Sequence, residues 1–227
     1  MMELDARLLS VAELVRQGAY FSDIGTDHAY LPIFLLERKI IERAVLSDVN
    51  EGPLLSAREN ARAAGLTDKM EFYLSNGAKS IPKELPITDF AVCGMGGELI
   101  LEIIEASFER FSKPEVHLIL QPMTKEDVLR KRLASLGFEI RKEKYSEAQG
   151  RFYVAFLVEH TGRVKNISDF EAYFGENPES DLSREKLGYI RKTVKKLRCA
   201  ATGKALGGID SPEEKLLFEI EKRILNL

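Results

Sequence analysis

Two acidic residues, Asp23 and Asp48, each lie at the end of an apolar run, about one strand–helix–strand unit apart in the sequence. Gly25 follows Asp23 and permits a tight turn after the first run. In a parallel sheet, such a turn leaves the N–H groups of the next helix open, and an acid that ends the second strand accepts hydrogen bonds from both hydroxyls of a ribose. These residue types at this spacing predict a site for a ligand that contains a nucleoside.

The charge of the first turn narrows the choice of ligand. Asp27 and Ala29 stand where a dinucleotide-binding loop has its later glycines. The Asp27 carboxylate would repel a pyrophosphate that approached the helix N-terminus. S-adenosylmethionine has no phosphate and carries an ammonium and a sulfonium group, so the acids favour it over NAD or FAD. Asp23, Gly25 and Asp48 are the candidate residues for binding this cofactor.

Two more polar turns follow predicted strands. Asn76 and Gly77 follow the third apolar run, where a side-chain amide and a close backbone approach can contact the adenine edge of the cofactor. Gln121 closes the fifth run, where its amide can reach the hydrogen-bonding edge of an acceptor. We therefore predict cofactor contacts at Asn76 and Gly77 and a substrate contact at Gln121. The structural alternatives are a plain turn after the third run and an amide at Gln121 that only satisfies a loop.

A glycine-rich turn, Cys93–Gly97, ends the fourth run. Three glycines among its last four residues let backbone groups lie against a planar ligand. We predict that Gly94 and Met95 contact the cofactor and that Gly96 and Gly97 contact the substrate. Enzymes that methylate exocyclic amines often have Asp/Asn-Pro-Pro-aromatic at this place, so its absence disfavours that class of acceptor.

The elements that position these turns follow from the hydrophobic pattern. Buried parallel strands are predicted at the apolar runs 19–24, 44–49, 70–75, 89–95 and 117–121, with helix signals in the stretches between them. Two further strands, opening at Gly137 and at Arg151, are joined by a short polar turn and must be antiparallel. The predicted fold class is α/β, a Rossmann-like sheet that closes with an antiparallel hairpin, which is the chain order of class I methyltransferases.

The strand pattern stops after residue 162, which predicts a domain over 1–162 and a smaller helical domain over 163–227. Apolar residues recur by threes and fours between Leu187 and Ala201 and again between Leu217 and Leu227. A glycine-rich break at 203–208 and a capping box that begins at Ser211 separate the two series. We predict a coiled-coil hairpin of two helices.

A local excess of positive charge lies on the first of these two helices. Residues 184–204 carry eight Lys and Arg side chains and one acid, Glu185, a net charge of +7. Such a stripe is a candidate contact for a polyanion, although a solvated helix face has the same composition. The candidate RNA-contacting residues are Arg191, Lys192, Lys195, Lys196 and Arg198.

The bulk properties exclude several classes of protein. The chain has 227 residues, of which 44% are hydrophobic and 30% are charged, and its net charge is −3. No apolar run approaches the roughly 20 residues of a membrane span. The two cysteines, Cys93 and Cys199, form no CxxC motif, so neither a disulfide framework nor a metal site is indicated. We expect a soluble cytoplasmic protein.

Several motifs together resemble one family. The bacterial tRNA (adenine-22-N1)-methyltransferases, TrmK, have a similar order and spacing across nearly the whole chain. The motifs that carry the resemblance are Asp23–Pro32, Ser47-Asp48 with Gly52-Pro53, Gly94–Gly97 and Leu118–Pro122. Two departures are Ser75-Asn76-Gly77, where relatives often have Gly-Asp-Gly, and Met123, where Asn is usual, so acceptor contacts at Met123 are in question.

The resemblance implies methyl transfer from S-adenosylmethionine to the ring N1 of an adenine in tRNA. N1 presents a free lone pair, so the reaction needs positioning and exclusion of water more than a strong base. Asp27 is then a candidate catalytic residue that stabilises the positive charge of the product base, and His28 one that orients the base or the carboxylate. Exposing N1 in a folded tRNA costs free energy that contacts elsewhere should supply, so we predict that the basic stripe from Arg191 to Arg198 contacts the RNA backbone.

Three other functions compete with this one. A small-molecule methyltransferase has the same cofactor signals, and its basic helix would serve dimerisation. A non-catalytic protein with the same fold would bind structured RNA without transferring a methyl group. An NAD-linked dehydrogenase is disfavoured by the acidic turn, the closing hairpin and the absence of Gly-x-Gly-x-x-Gly. The residues leave self-association open.

Overall fold

A mixed seven-stranded sheet forms the centre of the molecule. The computed structural model describes residues 2–176, 178, 183–206 and 212–225. The strands are β1 (Ala19–Ile24), β2 (Ile41–Asp48), β3 (Met70–Leu74), β4 (Asp89–Gly96), β5 (His117–Thr124), β6 (Phe138–Ala148) and β7 (Arg151–His160). Their order across the sheet is β3-β2-β1-β4-β5-β7-β6.

Helices flank both faces of this sheet. They are α1 (Ala6–Ala12), α2 (Tyr30–Glu37), α3 (Glu51–Ala63), α4 (Gly97–Ala106), α5 (Phe108–Phe111), α6 (Glu126–Ser135), α7 (Asp169–Phe174), α8 (Arg184–Leu206) and α9 (Pro212–Ile220). A short 3-10 helix covers Thr67–Lys69, and a π-helical turn, Glu221–Leu225, continues α9. No helix within the described ranges is long and apolar enough to cross a membrane.

The strand directions confirm the predicted sheet. Strands β1 to β5 run parallel, whereas β7 is antiparallel to both β5 and β6. Only Gln149 and Gly150 connect β6 to β7, and both have positive φ, +50° and +71°. Such two-residue turns match the twist of an antiparallel pair. Because β1 to β5 are parallel, their carboxyl ends share one edge of the sheet, which is called the carboxyl edge below.

The sheet separates two apolar layers. Helices α1, α2 and α3 pack on one face, where Val11, Leu35 and Ala57 are fully buried. Helices α4, α5 and α6 pack on the other face, as the complete burial of Ile100 and Leu129 shows. This three-layer arrangement is the predicted Rossmann-like architecture.

One predicted helix is absent. Between β3 and β4, residues 75–88 form turns and no helix. Pro82 and Pro86 interrupt this stretch, and each removes a backbone donor and restricts the preceding residue to extended conformations. The prediction of a helix between successive parallel strands was therefore wrong for β3 and β4, which are joined by an irregular loop.

The C-terminal helices form a small apolar cluster of their own. It contains Phe170, Phe174, Ile190, Val194, Leu197, Leu216 and Ile220. Arg198 on α8 and Glu221 after α9 lie 3.3 Å apart, at similar distances along the chain from the connection, as in a helical hairpin. Ser211 of the predicted capping box, Gly207-Gly208 and Leu227 lie outside the described residues. The supercoil and the 162/163 domain boundary stay predictions.

Helix α8 also packs against the sheet. A methyl group on Gly188 would overlap the ring of Phe152, so this glycine allows the close approach of the helix to β7. Lys192 donates from Nζ to the Phe152 carbonyl at 3.0 Å and lies 3.9 Å from Glu126. Phe152 near the start of β7 and Glu126 after β5 both belong to the carboxyl edge. Helix α8 therefore lies beside the same edge as the candidate cofactor site.

Candidate active site at the carboxyl edge of the sheet

The turn after β1 is held by the neighbouring strand. Gly25 has φ +77°, a conformation that glycine adopts without strain. The N–H groups of Gly25 and Thr26 donate to the carbonyl of Ser47 at 2.7 and 3.0 Å. These bonds join the ends of β1 and β2 and bring Asp23 and Asp48 to one place.

Asp23 is a buried acid without a charged partner. It is 8% exposed, and no Lys, Arg or His of the described residues lies within ion-pair distance of it. Burial raises the pKa of its carboxyl group to about 6, Thr26 acts in the opposite direction, and the nearby Asp48 adds to the rise. A cationic ligand would relieve this unfavourable burial of charge.

Asp48 ends β2 and is oriented by the backbone that follows it. Its Oδ1 accepts a hydrogen bond from the Asn50 N–H at 2.8 Å, and its carbonyl accepts one from the Ser75 N–H at 2.8 Å. Val49, next to it, is 63% exposed, which is high for a large apolar side chain at the end of a strand. The edge thus presents an acid beside uncovered apolar surface, as a nucleoside requires.

The turn after β3 approaches the same place. Gly77 has φ +64°, and its carbonyl accepts a hydrogen bond from the Ser47 hydroxyl at 3.3 Å. A methyl group on Gly77 would lie 3.1 Å from Cγ2 of Ile103, so α4 packs closely against this turn. Asn76 is exposed beside it. The structure therefore brings Asn76 and Gly77 alongside Asp48.

Met95 lies directly over the turn after β1. A methyl group on Gly25 would overlap Cε of the Met95 side chain. Two residues that are 70 positions apart in the sequence and were both predicted to bind the cofactor are thus in contact. The thioether is flexible, so it can move when a ligand occupies the turn.

Gln121 accepts hydrogen bonds from Gly94 and from a residue that the sequence did not single out. Arg7, on α1, donates from Nη1 to Oε1 of Gln121 at 2.7 Å, and the Gly94 N–H reaches the same oxygen at 3.3 Å. Gln121 is fully buried, and its Nε2 donates to the Pro122 carbonyl at 2.8 Å. Its amide is therefore committed within the protein, and its contact with a substrate stays a prediction. Only the tertiary fold brings α1 to this edge, so no local sequence signal marked Arg7.

Gly96 and Gly97 begin the connection from β4 to α4. A methyl group on Gly97 would lie 2.5 Å from the Lys125 carbonyl oxygen, and one on Gly96 would lie 3.3 Å from Oγ1 of Thr124. Gly97 thus allows the start of α4 to pack against the backbone after β5, and Gly96 leaves room for the Thr124 side chain. This packing accounts for both residues, and their predicted contact with a substrate is untested.

The two candidate catalytic residues lie at the open side of the turn. The side chain of Asp27 is 75% exposed, that of His28 is 41% exposed, and Nε2 of His28 is 3.4 Å from Oδ2 of Asp27. Asn60 donates from Nδ2 to the His28 carbonyl at 2.9 Å, which anchors the loop to α3. An exposed acid and an imidazole therefore adjoin the buried Asp23.

The basic residues of α8 form a separate surface. Ile190, Val194 and Leu197 are buried, and the opposite side of the helix is exposed. The exposed side contains Arg191, Lys192, Lys195, Lys196 and Arg198. Lys192 and Arg198 have the partners given above, whereas the other three form no ion pair within the described part of the chain. The structure does not bring these residues into the turn after β1.

The described residues contain no group of three or more His, Cys, Asp or Glu side chains that could hold a metal ion. Burial raises the pKa of the Cys93 thiol far above its usual range, and Asp23 adds to the rise. Cys93 is thus a neutral side chain beneath the site, as a structural cysteine is.

Comparison with known proteins gives a consistent result. A family model described as a methyltransferase domain matches residues 4–156. The tRNA (adenine(22)-N(1))-methyltransferase of Bacillus subtilis (strain 168) is 32% identical over 198 residues, which are 87% of this chain and 82% of the relative. The relationship therefore covers most of the chain.

Two solved structures resemble the whole molecule. Streptococcus pneumoniae Sp1610, in complex with S-adenosyl-L-methionine, has a TM-score of 0.85 and 33% identity and covers 98% of this chain and 100% of its own. M. capricolum TrmK, in complex with the cofactor product S-adenosyl-homocysteine, has a TM-score of 0.76 and 29% identity, with 99% and 95% covered. By its sheet order, by the domain matched and by its identity to the Bacillus relative, this chain belongs to the tRNA (adenine(22)-N(1))-methyltransferase family.

Proposed function

We propose that this protein transfers a methyl group from S-adenosylmethionine to N1 of adenine 22 in tRNA. The observation that carries the proposal is the unpaired, buried Asp23 beside the Gly25 turn, at the edge where Asp48 ends the next strand. A cationic nucleoside ligand fits this arrangement of charge. A tRNA substrate implies a cytoplasmic location.

The residues at this edge match the parts of the cofactor. Asp23 offers negative charge to the ammonium group, Asp48 accepts from the ribose hydroxyls, and Val49 and the Asn76-Gly77 turn offer the adenine an apolar surface and an amide. Arg7 supplies a positive charge next to Gly94, which suits the carboxylate of the methionyl part. When bound, the cofactor supplies an electrophilic methyl group.

The acceptor side needs few chemical groups. N1 of adenine has a lone pair in the plane of the ring, so the protein has to position that atom and exclude water. Methylation gives the base a positive charge, which the Asp27 carboxylate can stabilise, and His28, 3.4 Å from it, can orient that carboxylate. Exposure of both side chains leaves them accessible to a base that is brought to the turn.

The exposed basic side of α8 supports a tRNA substrate. Adenine N1 is accessible only after unpairing and unstacking, which cost a few kcal/mol, and contacts elsewhere have to supply that free energy. Arg191, Lys195 and Lys196 lie on a helix beside the carboxyl edge and have no described acidic partner. Phosphate contacts from these side chains would hold the tRNA in register with the site.

A methylation assay tests the proposal. The protein is incubated with labelled S-adenosylmethionine and total bacterial tRNA, and the modified nucleoside is mapped by mass spectrometry of nuclease fragments. We expect 1-methyladenosine at position 22, and its absence from a transcript in which that adenine is replaced by guanine.

The same assay separates the competing functions. Binding of the cofactor without transfer to any RNA would favour a small-molecule methyltransferase. Binding of tRNA without binding of the cofactor would favour a non-catalytic RNA-binding protein. Either result would contradict the proposal.

A further inference from the structure

Two aromatic side chains at the opening of the site are stacked on each other. The rings of His28 and Tyr30 have centroids 5.0 Å apart and an angle of 19° between their planes. Tyr30 is 43% exposed. Of the described Phe and Tyr residues, only Tyr30 and Phe218 are exposed, and Phe218 lies on α9. An uncovered aromatic ring at the active-site edge therefore requires an explanation other than core packing.

The backbone is strained where it presents this pair. Ala29, between the two rings, has φ +56°, which is uncommon for a residue with a side chain and costs about 1 kcal/mol or more. Ala29 is 1% exposed, and the bond from Asn60 to the His28 carbonyl holds the turn. From Leu31 to Leu36, α2 is buried, so its first residue, Tyr30, is the one left outside. The buried surroundings thus maintain the strain.

The turns that were predicted to contact the substrate contain no aromatic residue. The Cys93–Gly97 turn supplies glycines and a methionine, and Gln121 is buried with its amide already bonded. A base that has left its stack in a folded RNA loses its neighbours on both faces, and proteins replace them with aromatic side chains. Among the described Phe and Tyr residues of the carboxyl edge, Tyr30 is the exposed one, and it is stacked on His28, whereas Phe152 is half-buried and packs against Gly188 of α8.

We infer that the stacked pair His28–Tyr30 is a platform on which the unstacked adenine of the substrate lies, with the outer face of Tyr30 against the base and His28 supporting its inner face. This inference rests on the proposed function. It assigns Tyr30 as a substrate-positioning residue and gives His28 a stacking role besides the orientation of Asp27. The platform binds a purine through its ring surface, whereas the adjoining Asp27 carboxylate stabilises the positive charge that the base acquires.

Substitution at Tyr30 tests the platform. The Tyr30→Phe variant keeps the ring and removes the hydroxyl, Tyr30→Leu keeps an apolar side chain without a ring, and Tyr30→Ala removes both. Stacking on one aromatic side chain predicts a loss of about 5- to 150-fold in kcat/KM for tRNA in Tyr30→Ala and Tyr30→Leu. Tyr30→Phe should stay within about threefold of the wild-type protein. The loss should appear mainly in the KM for tRNA.

Two controls separate stacking from a structural effect. The affinity for S-adenosylmethionine and the melting temperature should be unchanged in all three variants, and Leu55→Ala, which shortens another exposed apolar side chain (59% exposed), should methylate normally. Equal activity of Tyr30→Leu and Tyr30→Phe, or normal kcat/KM in Tyr30→Ala, would overturn the platform and leave the proposed function intact. Failure of the wild-type protein to methylate tRNA would instead contradict the proposed function.

Discussion

Each edge of the sheet contains a buried aspartate, but only one of the two has a cationic partner among the described residues. At the amino edge, Asp89 is fully buried at the start of β4 and is bonded by Arg16, whose backbone N–H and Nε donate to its two oxygens at 3.0 and 2.8 Å. At the carboxyl edge, Asp23 is buried at a similar depth without a described cationic partner. The first acid is satisfied by the fold, and the second is available to a ligand.

The same contrast extends to the surrounding groups. Arg16 also donates from Nη2 to the carbonyls of Thr88 and Glu115, at 2.8 and 2.9 Å, so the amino edge is tied together by one side chain. The carboxyl edge instead has the buried Asp23, whose pKa is raised, and an exposed Asp27. We infer that the amino edge contributes more to stability, and that the carboxyl edge lowers stability because its groups are arranged to bind a ligand.

Removal of the acid at the amino edge should have the largest effect. Asp89→Ala leaves Arg16 without its partner and should lower the free energy of unfolding by about 3–4 kcal/mol, near the low end for a buried pair because the Arg16 side chain is 38% exposed. Urea unfolding measures this change. Asp89→Asn, which keeps one acceptor, should lose less, and the cofactor affinity of the folded fraction should not change in either variant. A loss of affinity at constant stability would contradict the contrast between the edges.

The corresponding change at the carboxyl edge should act in the opposite direction on stability. Asp23→Asn removes a charge whose burial is unfavourable, so the ligand-free protein should gain up to about 3 kcal/mol at pH 7. Removal of a charge-assisted hydrogen bond to the ligand should weaken S-adenosylmethionine binding roughly 10- to 100-fold. Calorimetric titration and urea unfolding of the same sample measure both. A variant that binds as well as the wild-type protein would remove Asp23 from the cofactor site.

The pH dependence of this stability gain sharpens the test. The pKa of Asp23 is raised from 3.8 to about 6 in the folded protein, so the folded state holds this proton more tightly than the unfolded state does. The wild-type protein should therefore lose stability through this residue as the pH rises from about 4 to about 6, and stay level above that. The stability gained by Asp23→Asn should be full above pH 6 and vanish towards pH 4. A gain that is constant across this range would contradict the raised pKa.

Gly25→Ala should have a smaller effect. An alanine at φ +77° is strained and overlaps Met95, so we expect a loss of about 1–2 kcal/mol in the free energy of unfolding. Gly25→Ala combined with Met95→Ala should recover the steric part of the loss relative to Met95→Ala alone and leave the backbone part. Thermal unfolding of the wild-type protein, the two single variants and the double variant gives a double-mutant cycle. Strict additivity of the two changes would exclude the contact.

Charge reversal on α8 should affect stability least. Lys195→Glu with Lys196→Glu changes two exposed side chains and should alter the free energy of unfolding by no more than about 0.5 kcal/mol. The affinity for tRNA should fall, and the slope of its logarithm against the logarithm of salt concentration should decrease by about 1 for each phosphate that the variant no longer neutralises. Lys69→Glu with Lys113→Glu, exposed near the amino edge, is the matched control and should bind tRNA normally. Equal behaviour of the two pairs would make the α8 charges a solvated face.

Much of this site follows from local signals in the sequence. The apolar runs, the glycine after Asp23 and the acid at Asp48 predict parallel strands and the turns at their ends, because strand periodicity and turn chemistry depend on near neighbours. The helix predicted between β3 and β4 is absent because that stretch contains two prolines. Proline disfavours a helix there, although the alternation of strands and helices along the chain had predicted one. The basic side of α8 could also be predicted from the sequence, because the helical spacing separates it from the buried series at Ile190, Val194 and Leu197.

Other features depend on residues that are distant in the sequence. The sequence alone determined which strands exist, that the last two form an antiparallel hairpin and which acids end β1 and β2. Only the tertiary structure decided that Arg16 neutralises Asp89 while Asp23 keeps no partner, that Arg7 reaches Gln121 and that Gly97 and Gly188 permit close packing. The physical reason is that burial and pairing of charge depend on which elements meet in space, and neither is encoded in the spacing of one segment.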